Sequence, residues 1–237
     1  VLGFLFMLIP IITIDERKYV TVKPVPNDFM KALKNTFKNK NFLIFEIFFL
    51  AYGIAITIFQ TGNVYYVTVL LGLNETWVTI ITAMSGLLAF ALYPAVNIYS
   101  KKTGKKKLCF FAMIMLIIAY LYCSFLGYLP ISPKLQAIIF VVLAGIGFAI
   151  FGILPNAIVA DIAKNDGDRT GEYKEGMFFA VQTFMNKLGQ MIAMITFSSV
   201  LLLGKEPGAD LGIRLTGIIA ASIGFVALMI FTKYKDE

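Results

Sequence analysis

Apolar residues fall into six long runs separated by short polar stretches: 42–71, 77–99, 108–128, 135–160, 177–203 and 211–232, here runs A to F. Each matches the roughly 20 residues that an α-helix needs to cross the hydrocarbon of a bilayer. The pattern predicts an all-α membrane protein with six transmembrane helices. Gly53, Pro94, Gly145, Gly147 and Pro155 lie inside runs, and membrane helices tolerate both residue types. Run A is long enough to tilt or to extend past the hydrocarbon. A shorter apolar run, residues 1–14, is too short to span and has no basic stretch before it as a signal peptide would. It is expected to be the truncated end of a preceding transmembrane helix, with a further six-helix half of the same polypeptide upstream.

The polar stretches give the bundle two sides. Segments 15–41, 100–107 and 161–176 and the tail 233–237 hold seventeen of the lysines and arginines, whereas the alternate loops hold only Lys134, Lys205 and, at a span end, Arg214. Basic loops stay on the cytoplasmic side. The expectation is therefore a multi-pass protein of the cell membrane with both ends of the six-helix unit cytoplasmic. Segment 15–41 reads as a cytoplasmic connector. Pro24 and Pro26 suit extended chain, and Asn27 or Asp28 is a candidate cap. Phe29, Leu33 and Phe37 then recur every four residues among lysines, as in an amphipathic helix on a membrane surface or against the bundle.

Composition agrees. Fifty-nine per cent of the 237 residues are apolar and 15% charged, against about 45–50% and about 25% in soluble domains. Mean hydropathy is +0.80. No histidine is present, which excludes histidine acid–base chemistry and histidine-ligated metals. Cys109 and Cys123 lie inside apolar runs and read as small buried hydrophobes rather than a disulfide framework or metal site. Neither metal nor cofactor is expected. The net charge of +7 fits loops facing an anionic leaflet, so the expected surroundings are the lipid bilayer and not nucleic acid.

Polar groups within the runs are unevenly distributed. Run A holds Glu46, Gln60 and Asn63; run E holds Gln182, Asn186, Lys187 and Gln190; run C holds no amide or charge, and run F only Arg214. Helices apolar all round suit lipid, and helices with a polar stripe suit protein or a water-filled cavity. Runs C and F are thus expected at the periphery and A and E centrally, as in two three-helix repeats. In run E, Thr183, Asn186, Lys187 and Gln190 stand at i, i+3, i+4 and i+7 and share one helix face. Lys187 lies about 15 Å into the run at ~1.5 Å per residue, where a charge must be paired or hydrated. It reads as a solute-cavity or coupling lysine; a lysine that packs helices, or an unprotonated one, are the alternatives. Glu46 is near the start of run A and reads as interfacial, so the partner acid of Lys187 is expected outside this chain. Thr57, Gln60 and Asn63 offer hydrogen bonds to a hydroxylated solute or to neighbouring helices.

Two segments carry a resemblance. Asn97-Ile-Tyr-Ser-Lys-Lys-Thr-Gly-Lys-Lys-Lys107 resembles the short Gly-basic loop of major-facilitator proteins. The succession Ala160-Asp161, Thr170-Gly171, Glu175-Gly176, Gln182-Thr183 and Lys187-Leu188-Gly189 resembles the glycoside–pentoside–hexuronide cation symporters, the melibiose-permease-like branch of the major facilitator superfamily. The resemblance runs from Asn41 to the C-terminus. It implies the six-transmembrane-helix half of a twelve-helix transporter, with residues 42–232 as the C-terminal bundle. It also implies a cytoplasmic gate of Asp161, Asp166, Arg169, Lys174 and Glu175, and an intramembrane lysine at Lys187. Lys164 and Asn165-Asp166-Gly167 stand where many members have Asp and Tyr-Gly-Glu, and this departure bears on substrate class more than on fold.

The resulting expectation is a secondary active symporter, not an enzyme, that moves a small hydrophilic solute by alternating access, driven by Na⁺ or H⁺. A sugar, glycoside or uronide is the expected cargo. A lysolipid or other amphiphile carrier is the alternative, and a non-transporting membrane subunit a more distant one.

Overall fold

The computed structural model describes residues 29–235. The expected helix end at 1–14, the connector before Phe29 and the last two tail residues lie outside the described residues. Helix α1, Phe29–Lys38, precedes α2, Lys40–Tyr65, which continues into a π-helical turn, Tyr66–Leu70. Asn39 joins the two. Its side chain accepts from the Phe42 N–H at 3.1 Å and satisfies one of the free donors at the start of α2. The remaining helices are α3, Glu75–Thr103; α4, Lys105–Ser124; α5, Pro133–Phe151; α6, Leu154–Thr170; α7, Glu175–Leu201; and α8, Leu211–Phe231.

Among the described residues, five helical segments are long and apolar enough to cross a membrane: Lys40–Leu70, Glu75–Thr103, Lys105–Ser124, Pro133–Thr170 and Leu211–Phe231. Helix α7 has the length, 27 residues, but its amide-and-lysine stripe makes it too polar to join that set. Among the described residues the chain is all-α, with several helices of membrane-crossing length.

Run D differs from its expectation. It is broken at Gly152–Ile153, and Pro155 stands in the first turn of the second piece, α6. Proline lacks an N–H and its ring collides with the carbonyl four residues back, here that of Phe151, where α5 ends. The acid-rich stretch after Ala160, expected as a loop, is helical to Thr170. Lipid transfer does not decide helicity where a segment leaves the hydrocarbon; backbone hydrogen bonding does.

Helix α2 packs against α7 and α8, α4 lies against α5 and α8, and α3 lies along α5. Aromatic rings fill the centre. Phe48 stacks on Phe231 with centroids 4.1 Å apart, and Tyr52 on Phe151 at 4.2 Å. The Tyr66 hydroxyl is 2.8 Å from that of Thr216, which pairs two buried polar groups between α2 and α8. Run C was expected to be peripheral, yet α4 carries a fully buried stripe through Cys109, Ala112, Leu116, Ala119 and Cys123. An all-apolar helix can face lipid on one side and still pack on the other. Its outward side, with Phe111, Ile118 and Leu121, is exposed, as are Phe225, Val226 and Met229 of α8. The least covered span is α3, with 17% of its apolar window buried.

The crossing of α8 on α4 depends on Gly217. A Cβ built there would lie 2.6 Å from the Tyr120 carbonyl oxygen and 2.5 Å from Ser124 Oγ. Gly217→Ala is expected to destabilise the protein by about 1–3 kcal/mol through overpacking. Gly86→Ala, with nothing within 4 Å of its new methyl, should be neutral or slightly stabilising. Thermal unfolding of both variants in detergent checks the contrast: equal midpoints would reject the tight crossing.

Candidate functional site

The end of the bundle that holds the lysine-rich segments is closed by charge. Asp166, on the last turns of α6, is its hub. Lys174 Nζ lies 2.9 Å from Asp166 Oδ2, and Arg169 Nη2 and Asn39 Nδ2 donate to Oδ1 at 3.0 and 3.1 Å. The Asp166 and Lys174 side chains are only 3% and 4% exposed, whereas Arg169 lies mostly in solvent. Lys174 also comes within 3.9 Å of Glu172. One carboxylate thus ties the α1–α2 corner to α6 and to the start of α7. Asp161, one and a half turns earlier on α6, pairs instead with Lys105 of α4, and Lys105 also donates to the Ala157 carbonyl. Glu175 is exposed and joins no ion pair among the described residues.

Four of the five expected gate residues are therefore in ion pairs, but in two separate clusters. Reasoning from sequence missed Lys105 and Asn39 as partners. Lys105 was one of a run of lysines with nothing to single it out. Asn39 carried a signal, because an Asn between two helical patterns is a capping residue with an amide to spare.

At mid-height the expected cavity residues divide in a related way. Lys187 stands 12 residues from the start and 14 from the end of α7, and its side chain is exposed. Lys187 Nζ donates to Gln190 Oε1 at 3.3 Å, and Gln190 Nε2 donates to Asn186 Oδ1 at 3.3 Å. The three side chains form a ladder along one face. The Thr183 hydroxyl is turned back to the Phe179 carbonyl at 2.8 Å, so it occupies the same face with its proton already used.

Helix α2 lies close beside this ladder because both helices are small at the contact. A Cβ at Gly189 would meet the Leu50 carbonyl oxygen at 3.2 Å, and one at Gly53 would sit 3.6 Å from Asn186 Oδ1. Gly53, Thr57 and Gln60 follow at i, i+4 and i+7 and continue one face of α2. Thr57 is half-buried and Gln60 exposed. On the far side of that face, Asn63 Nδ2 donates to Thr82 Oγ1 of α3 at 3.2 Å. Gln60, Asn63, Thr82, Ser85 and Gly86 line a cleft of about 320 Å³ floored by Phe59, Phe140 and Phe148. The polar face is shared among three helices, with Thr82 and Ser85 not foreseen. A lone Thr and Ser in an apolar run carry no spacing signal.

Glu46 corrects an expectation. It was read as interfacial from its depth along run A, but it is fully buried, and neither carboxylate oxygen has a hydrogen-bond partner among the described residues. Helix α1 packs against α2 and α7. Gln182 of α7 is buried too, with its Nε2 unpaired among the described residues.

The opposite end is held by Arg214. It donates to the Ser124 and Leu126 carbonyls at 2.8 and 2.9 Å, pairs with Asp210 at 2.8 Å and lies 3.7 Å over the Tyr128 ring. These contacts fasten α8 to the turn after α4.

Residues 1–205 match the family described as MFS/sugar transport protein. The chain belongs to that family. It is also 24% identical over 192 residues to a protein of Synechocystis sp. named as an uncharacterized symporter, a match that covers 78% of this chain and 34% of that protein. The chain thus spans about a third of the length of the curated relative it matches. Membership of a major-facilitator sugar-transport family agrees with the all-helical, membrane-length architecture and gives the polar face of α2, α3 and α7 its context.

The two charge clusters should respond differently to neutralisation. Asp166→Asn leaves buried Lys174 only Glu172, 3.9 Å away, as a counter-charge, and breaking a buried pair costs about 3–5 kcal/mol. Asp161→Asn breaks a half-exposed pair worth about 0–1 kcal/mol. Thermal midpoints of the two variants should fall in that order; a larger drop for Asp161→Asn would contradict the hub assignment.

Proposed function

We propose that this chain is the C-terminal six-helix half of a cation-coupled symporter of the melibiose-permease-like, glycoside–pentoside–hexuronide branch. Its solute is a sugar, glycoside or uronide. The observation that carries the reading is the Lys187–Gln190–Asn186 ladder, exposed halfway along a membrane helix beside the polar face of α2. A charge at that depth needs water or an opposite charge. A hydrated seam between two bundles supplies both, and hydrogen-bonding amides beside it suit a hydroxylated ligand. The partner acid and the coupling-ion carboxylates belong to the N-terminal half of the same polypeptide.

In this reading Lys187, Asn186, Gln190 and Thr183, with Gln60, Asn63 and Thr57, line the pathway. The two bundles rock about it. The basic end faces the cytoplasm, as the distribution of lysines favours. Asp161, Asp166, Arg169, Lys174 and Glu175 form the rim that closes on that side. Asp161 pairs with Lys105 partly in water and Glu175 is exposed, so these charges cost little to separate, whereas the buried Asp166–Lys174 pair stays closed. The driving ion is Na⁺ or H⁺. A lysolipid or other amphiphile is the second reading, favoured by Lys164 and Asn165–Gly167 at positions where sugar symporters carry a different set.

The test is uptake by the full-length protein in vesicles, with sugars, uronides and lysolipids as cargo and with Na⁺ and pH gradients imposed separately. Lys187→Ala is expected to reduce gradient-driven uptake to background, with an unchanged elution profile and thermal midpoint. Normal coupled uptake by that variant rejects the assigned role. Uptake of lysolipid alone selects the second reading.

A further inference from the structure

A basic pocket lies at the lysine-rich end and shares Asp166 and Arg169 with the charged rim. It has a volume of about 520 Å³ and is built from three separate segments. The α1–α2 corner contributes Lys38, Asn39, Lys40, Asn41 and Ile44; the last turns of α6 contribute Asn165, Asp166 and Arg169; the chain after α8 contributes Lys233 and Lys235. The segments are stitched together by backbone and amide groups, not by the cations. Asn41 Nδ2 donates to the Lys235 carbonyl at 2.7 Å, and the Lys235 N–H donates to Asn41 Oδ1 at 3.0 Å. The single carboxylate in the lining, Asp166, is already engaged by Lys174, Arg169 and Asn39. Lys38, Lys40, Lys233 and Lys235 make no ion pair among the described residues and are exposed.

We propose that this pocket binds the phosphate group of an anionic phospholipid of the facing leaflet. Two features select a phosphate on a lipid. Four lysines and an arginine converge on one concavity, and the amide of Asn165 lies among them, a donor set that matches a phosphate rather than a neutral headgroup. Above it, Lys40, Ile44 and Ile47 stand at i, i+4 and i+7 on α2, so the basic floor passes directly into an apolar strip. Ile47 is exposed, as are Leu43 beside it and Phe37 on α1, which gives acyl chains a surface continuous with the pocket. The lysines at helix C-termini also complement the helix dipoles, but Lys40 stands at an N-terminus, where that explanation fails.

The site rests on the membrane setting alone and not on transport. It is tested on the delipidated full-length protein by native mass spectrometry and vesicle binding, with phosphatidylglycerol, phosphatidylcholine and inorganic phosphate as probes. Wild type should retain one phosphatidylglycerol in preference to phosphatidylcholine. The triple variant Lys38→Gln, Lys40→Gln, Lys235→Gln should bind it about 100-fold more weakly, from ~1 kcal/mol per basic residue near an anionic surface. A control triple at the same end, Lys101→Gln, Lys102→Gln, Lys107→Gln, removes equal charge away from the pocket and should retain the lipid within a few-fold. Equal losses in both triples, or equal retention of the two lipids by wild type, overturns the site. Binding of inorganic phosphate without a preference for phosphatidylglycerol overturns the lipid assignment.

Discussion

An ammonium group halfway along a membrane helix is tolerated only where water or a counter-charge reaches it, and this requirement orders the rest of the bundle. Lys187 has no carboxylate partner among the described residues; Gln190 and Asn186 give it dipoles, not a charge. The face of α7 that bears it therefore cannot be given to acyl chains. The small residues Gly53 and Gly189 bring α2 close beside that face. The outward sides of α4 and α8 take the opposite role and expose Phe111, Ile118, Phe225 and Met229. One side is built to be wet and the other to be oily.

The charges at the basic end divide by burial into two kinds. Asp166 and Lys174 are dry, and Asp166 draws on three donors from three segments. Such a group is costly to disturb and fixes how α1, α6 and α7 meet. Asp161 and Lys105 are partly in water and are cheap to separate. Every one of these pairs lies within this half. On the proposed mechanism, then, opening does not require the Asp166 hub to break; the hub holds the rim in shape while the weaker, exposed charges exchange partners across the seam.

The sequence showed the helices because hydrocarbon thickness imposes a length that composition must fill. It showed the ladder on α7 because polar residues at i, i+3, i+4 and i+7 are conspicuous in an apolar run. Its failures share a cause. Position along a run does not tell what packs around a side chain, and Glu46, near the start of run A, is fully buried. Hydropathy marks the edge of lipid and not the end of a helix, so α6 continued through Asp161 and Asp166 to Thr170. Pro155 broke run D although prolines inside membrane helices are common, and Pro94 in α3 did not. Partners such as Lys105 for Asp161 depend on which helices become neighbours, which no local pattern carries.

Exposure alone would misassign the surfaces of this half. By area, α3 is the most open span, and Leu87 and Phe90 on it are as bare as any lipid-facing residue of α8. Polarity separates them. Helix α3 also presents Thr82, bonded to Asn63 of α2, and lines the cleft with Ser85 and Gly86. Helix α8 exposes Ser222, whose hydroxyl is spent on the Ile218 carbonyl of its own helix. The Thr82 hydroxyl likewise donates within its own helix, to the Val78 carbonyl at 2.8 Å, but it also accepts from Asn63 of α2, whose amide oxygen is unpaired among the described residues. On the proposed function, the bond from α2 to α3 and the cleft it borders, together with the ladder on α7, rather than bare area, mark the side of the half that a second bundle and a polar solute would occupy.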